Sequence, residues 1–127
     1  SMDSYNAKCR VIAMSDGKFA FSGAMYAGAV AQIGPTVLLE ILDDNSNVYV
    51  IVGSKRCQCL DQAIFTHIGI DPKQMKIIVV KSTVHFRGDF EQIADLILHA
   101  QSPGANYCSL ETITYQNLRS NVRRSLK

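Results

Sequence analysis

The chain has 127 residues, 47% of them hydrophobic and 19% charged, the size of one domain and a composition that excludes a disordered chain. Thirteen basic against eleven acidic side chains leave a formal charge of +2, too slight to imply nucleic acid or an acidic membrane as a partner. No apolar run approaches the roughly 18 residues of a membrane span and the N-terminus lacks a secretory pattern, so a soluble, cytoplasmic protein is expected.

Ser1-Met2 reads as a protease scar, which makes residues 1–7 a flexible lead and points to a longer parent. Residues 8–118 are expected to form one domain, followed by a basic tail over 119–127. Residues 8–14 alternate in part and end at Ser15-Asp16-Gly17, a turn signal; Lys18 to Ser22 then alternates again with Phe19 and Phe21 on one face, so the two runs predict a hairpin. Gly23 to Pro35 is rich in small residues and reads as a tightly packed loop. Thr36–Leu42 and Asn47–Val52 are β-rich runs separated by Asp43-Asp44-Asn45-Ser46, the clearest hairpin of the sequence.

From Leu60 to Ile68 the apolar residues Leu60, Ala63, Ile64 and Ile68 fall on one helical face, closed by Gly69 in the C′ position. Asp71-Pro72 opens a further helical turn with Pro at its first position. Lys76–Lys81 is nearly all apolar in its centre and predicts a central strand buried on both faces. Helical spacing over His85–Ala94 and a second apolar run over Asp95–Ala100 complete a strand-helix-strand unit. Ser102-Pro103-Gly104-Ala105 is a turn, and Leu110, Ile113, Thr114 and Leu118 predict a frayed final helix or turn. The expected fold is therefore mixed α/β (α+β): N-terminal β-hairpins joined to a β-α-β unit in one mixed sheet, with short helices packed on it.

No complete catalytic or metal site is visible. Cys9, Cys57, Cys59 and Cys108 include one close pair, with one residue between, which fits neither zinc nor redox C-x-x-C spacing. His67, His85 and His99 sit in separate elements without H-x-x-x-H or H-x-E spacing. Polar residues crowd the end of the predicted buried strand, and Lys81, Ser82, His85 and Arg87 are the candidates for holding a carboxylate or phosphate there. Lys55 and Arg56, at another strand exit, are candidates for facing the same region. The plain alternative is structural: Ser82 or Thr83 caps the helix, His85 caps or packs, and Arg87 pairs with Asp89 or Glu91. A sharper one pairs a nucleophile with a base, Ser82 with His85, or Cys57 or Cys59 with His67 or His99, although no nucleophile-elbow pattern surrounds Ser82.

Several segments nevertheless fall into a known order: Gly34-Pro35-Thr36-Val37, Gly53-Ser54-Lys55-Arg56, Gly69-Ile70-Asp71-Pro72, Val80 to Arg87, Ser102-Pro103-Gly104, and Tyr115 to Arg119. Together, from about Asp16 to Arg119, they resemble the C-terminal domain of the microcystinase C (MlrC)-like metallohydrolases, with Lys81-Ser82-x-x-His85-Phe86-Arg87 the most specific part. The resemblance implies a bacterial, cytoplasmic parent whose larger N-terminal domain holds the zinc and hydrolyses amide or peptide bonds. It implies no cofactor in this chain, which would be a companion that shapes the cleft and is inactive alone. The expected partner is that N-terminal domain; the face that meets it should be apolar and, when bare, prone to homodimerise. The chain departs from the family pattern at Asn121–Lys127, where an Arg-Arg-Pro stretch is expected. The alternative function is a non-enzymatic module that binds a small anion or another protein.

Overall fold

The most apolar β-rich run becomes the middle of a sheet. β4 (Thr36–Ile41) lies between β1 (Cys9–Ser15) and β5 (Tyr49–Gly53), antiparallel to both, giving the strand order β1-β4-β5. The structure is a computed structural model that describes residues 4–42, 47–82, 84–100, 111 and 113–123. The hairpin expected from Thr36 to Val52 is thus present as β4 and β5, while the turn signal Asp43–Ser46 lies outside the described residues.

Register decides the character of each face, because paired residues point to the same side. One face carries Leu38 between Ala13 and Ile51, and Thr36 between Ser15 and Gly53; Leu38 and Thr36 are each only 2% exposed. At the open end of that face Arg10 meets Glu40 at 3.2 Å. The opposite face carries Val37 between Met14 and Val52, and Leu39 between Val11 and Val50. Met14 is 78% exposed and Val11 57%, so this second face, apolar in both rows, is open to solvent. A β-bulge between Val11 and Ala13 takes up Ile12, which lets β1 present apolar side chains in both rows despite its irregular pattern.

The hairpin expected between residues 8–14 and 18–22 does not form. β1 joins β4 instead, and β2 (Lys18–Ala20) pairs antiparallel with β3 (Val30–Gln32), a strand inside the stretch read as a loop. The reason lies at Gly17. With φ of +71° it turns the chain out of the first sheet, and its carbonyl accepts the Ile33 N–H at 3.0 Å, tying the exit of β3 to the entry of β2. Phe19, Ala31, Ile33 and Ala63 form a buried cluster on this second sheet, with Phe21 and Ile64 packed against it.

The predicted helix over Leu60–Ile68 is reduced to α1 (Ala63–Thr66), whose end follows the expected glycine closure. Gly69, at φ +91°, donates to the Thr66 carbonyl, and Ile70 donates to that of Phe65, both at 3.1 Å, the bond pair of a Schellman motif with Gly69 at C′. Pro72–Gln74 forms the expected short turn of 3-10 helix, capped by Asp71, whose carboxylate accepts the Lys73 N–H at 3.0 Å. The helix expected over His85–Ala94 is α2 (Arg87–Phe90) followed by a 3-10 turn at Glu91–Ile93.

The β-α-β unit is corrected by the structure. Neither 76–81 nor 95–100 is a strand, so the described residues form two antiparallel sheets rather than one mixed sheet, and the fold is α+β with little helix. Ile77 and Val79 are 82% and 88% exposed, the opposite of a strand buried on both faces. An apolar run supplies side chains for a strand but not the hydrogen-bonded neighbours that make one.

Contacts divide the chain into two compact units, residues 1–95 and 96–127. All the strands and helices named above belong to the first. In the second, the described residues form bends and turns, with Asn121 in the left-handed region at φ 66° and residues 114–123 exposed. The turn expected at Ser102–Ala105, Leu110 and the last four residues of the basic tail lie outside the described residues.

Candidate functional site

Two buried carboxylates set the geometry of the candidate site. Asp61, 1% exposed, accepts hydrogen bonds from Ser22 Oγ at 3.1 Å, Gly23 N–H at 2.6 Å and Ala63 N–H at 2.7 Å. Through the last of these it acts as a helix-capping residue for α1. Asp89, 8% exposed, accepts the Gln62 N–H at 2.6 Å, and the Gln62 side-chain amide donates back to the Asp89 carbonyl at 2.6 Å. That reciprocal pair clamps the segment before α1 to α2. A β-carbon on Gly23 would stand 3.0 Å from Asp61 Oδ2 and 3.1 Å from Asp89 Cγ, so both carboxylates close around this glycine.

The clamp brings Gln58 against the segment that precedes α2. Its amide nitrogen lies 2.8 Å from His85 Nδ1 and 3.3 Å from Ser82 Oγ. An amide nitrogen only donates, so Nδ1 of His85 is the acceptor and the neutral ring carries its proton on Nε2. Ser82 Oγ also accepts, which leaves its own proton to be given elsewhere. The cluster therefore offers two donors, His85 Nε2–H and Ser82 O–H, on an exposed histidine and a half-buried serine. Such a pair suits a carbonyl or carboxylate oxygen.

Of the residues singled out in the sequence, Ser82 and His85 are brought together, through Gln58 rather than by direct contact. Among the described residues no Ser82–His85 hydrogen bond joins a nucleophile to a base, and the bond of Ser82 is to Gln58 rather than to α2. The Arg87 guanidinium pairs with Glu91 at 2.7 Å and lies 5.7 Å from the centre of the Phe86 ring. Lys55, Arg56 and Lys81 are exposed, and among the described residues their side chains have no ion-pair partner. The backbone of Lys55 is fixed by its N–H to the Ile33 carbonyl at 2.9 Å. Thr83 lies outside the described residues. Gln58 itself had no signal in sequence, since a glutamine in a polar turn matches no chemical motif.

Among the described residues the thiols and the other histidines do not gather into a metal centre. Burial pushes the Cys59 thiol up to about 12, with Cys57 and Asp61 adding to the effect, and burial also raises Cys57. His67 is occupied structurally: its Nδ1 lies 3.1 Å from the Ala63 carbonyl and its ring stacks on Phe19 at 4.6 Å. Among the described residues no three His, Cys, Asp or Glu side chains gather as metal ligands, so these residues do not fit a zinc site of their own. No described helix is long and apolar enough to cross a membrane.

No curated protein and no solved structure matches the chain. The family model described as MlrC C-terminus, however, matches residues 1–117, a span that includes both sheets, the carboxylate clamp and the Gln58–Ser82–His85 cluster. This chain belongs to the MlrC C-terminal domain family.

Proposed function

We propose that the chain serves as the C-terminal companion domain of an MlrC-like zinc-dependent amide or peptide hydrolase, and that the Gln58–Ser82–His85 cluster contacts the substrate at the rim of the parent's cleft. The observation that carries this reading is that one glutamine bonds to both Ser82 and His85, on the segment that most resembles the family. A carbonyl or carboxylate oxygen of a peptide-like substrate would accept from His85 Nε2–H and Ser82 O–H, with Lys81, exposed one residue away, adding positive charge. Such contacts position substrate and favour charge on oxygen. Zinc and the attacking water belong, on this reading, to the N-terminal domain.

The 127-residue chain, incubated with zinc and a peptide amide, is expected to retain no stoichiometric metal and to release no product, whereas the two-domain polypeptide does both. In that polypeptide His85→Ala should raise KM by about 2- to 10-fold, the worth of one net hydrogen bond, with kcat changed less. Metal analysis beside amide-hydrolysis kinetics checks both. Stoichiometric zinc with turnover by the chain alone would sink the companion-domain reading. An unchanged KM would remove His85 from the substrate contact and favour the alternative of a binding module whose cations, Lys55, Arg56 and Lys81, meet another ligand.

A further inference from the structure

Gln58 meets Ser82 and His85 through a single atom. Its amide nitrogen lies 3.3 Å from Ser82 Oγ and 2.8 Å from His85 Nδ1, so two acceptors take the two protons of one amide group. Each partner is able to play the opposite role: a serine hydroxyl donates as readily as it accepts, and a neutral imidazole carries its proton on either nitrogen. The glutamine nitrogen removes that freedom, because it has nothing to accept with. A hydroxyl and an imidazole that both accept on the Gln58 side have their protons, Ser82 O–H and His85 Nε2–H, left for a ligand.

Charge around the cluster has the matching sign. The two stretches that supply it, residues 54–60 and 80–88, contain Lys55, Arg56, Lys81 and Arg87 and no carboxylate. The acids that border these stretches, Asp61 and Asp89, are buried and turned to the backbone N–H groups of Gly23, Ala63 and Gln62. Donors in positive surroundings suit an electron-rich oxygen and disfavour a ligand group that brings a proton of its own. We infer that Gln58 is the positioning residue of this site: it fixes the tautomer of His85 and the role of the Ser82 hydroxyl, and through them restricts the site to acceptor groups of the ligand. The inference rests on the substrate-contact reading for what the ligand is, and adds which residue decides the polarity of the contact. Gln58→Glu should reverse that polarity. A carboxylate only accepts, so His85 Nδ1–H and Ser82 O–H would turn to it and Nε2 would be left as an acceptor.

The test is the tautomer of His85, read from proton–nitrogen correlation spectra of the histidine side chains of the 127-residue chain at about pH 9, well above the ordinary imidazole range. His67 supplies the reference in the same spectrum: its Nδ1 lies 3.1 Å from the Ala63 carbonyl, which only accepts, so its proton is on Nδ1. The expected result is His85 protonated on Nε2 in the wild type and on Nδ1 in Gln58→Glu, with His67 unchanged in both. Gln58→Met, which keeps the length of this exposed side chain and loses the amide, should leave His85 in a mixture of the two tautomers. A wild-type His85 protonated on Nδ1, or the same His85 pattern in all three proteins, would overturn the inference. In the two-domain polypeptide Gln58→Glu should raise KM for the peptide amide by about 2- to 10-fold. A reversed tautomer with an unchanged KM would sink the substrate contact and leave the hold of Gln58 on His85 standing, so the two ideas fail separately.

Discussion

Gly17→Ala is expected to be the most damaging small substitution in the first unit, lowering unfolding free energy by about 3–5 kcal/mol. Two costs combine. The residue sits at φ +71°, where a β-carbon is disfavoured by about 1–2 kcal/mol. That β-carbon would also run into the Gly34 carbonyl oxygen and stand 2.9 Å from both Gly34 C and Ile33 Cγ1. Backbone on one side and a buried core side chain on the other leave no flexible group to yield, and moving Ile33 disturbs the cluster with Phe19, Ala31 and Ala63. Gly69→Ala is the matched control. It shares the left-handed backbone, at φ +91°, but its β-carbon would have nothing within 4 Å, so a loss of only about 1–2 kcal/mol is expected. Urea titration of both variants separates the clash from the backbone term; equal losses would show that the clash is absorbed.

Asp61→Ala should cost nearly as much, about 3–5 kcal/mol, for a different reason. The carboxylate is buried and no cation pairs with it among the described residues; three hydrogen bonds replace water around it. Removing it strands the Gly23 and Ala63 N–H groups, at about 1–3 kcal/mol for each buried donor left without an acceptor. Asp61→Asn would not restore the site, because one of its two oxygens becomes an amide nitrogen that must face either the Gly23 N–H or the Ser22–Ala63 side, a donor against donors. Asp16→Ala removes a similar local bond, Lys18 N–H to Asp16 Oδ1 at 3.0 Å, from an exposed turn and should cost about 1 kcal/mol or less. Thermal or urea melts of the three variants rank them; an Asp61→Ala loss as small as that of Asp16→Ala would mean that the loop from Ser22 to Gly23 can open to water.

What was legible in the sequence was mainly what short-range chemistry determines. The hairpin of β4 and β5, the Gly69 closure and the Asp71-Pro72 turn all follow from residues within a few positions of one another. Partner choice over longer range was not legible. Alternation over residues 8–14 signals a strand but is silent on whether it pairs with its neighbour or with β4, and Gly17 marks a turn without giving the direction in which it sends the chain. The runs at 76–81 and 95–100 show the same gap, since apolar content predicts a burial that their surroundings do not provide. At the site, Ser82 and His85 stood out by residue type. Gln58 did not, and neither did Asp61 and Asp89, because the clamp that unites them depends on buried backbone donors that only the folded chain brings into place.

The placement of β4 between strands from opposite directions in the sequence also orders the assembly of the sheet in time. β5 is joined to β4 by a short connection, and their closest paired residues, Glu40 and Tyr49, close a small loop. β1 reaches the other edge only after the chain has passed through the whole of the second sheet, so its pairing, from Ser15 with Thr36 outward to Cys9 with Ile41, closes much larger loops. Larger loops cost more entropy before any contact repays them. The β4–β5 hairpin is therefore the natural nucleus and β1 a late arrival, an order that φ-values higher in β5 than in β1 would register. A strand that docks last belongs to the unfolding side of the barrier, so changes in β1 should govern how long the folded chain persists rather than how fast it forms.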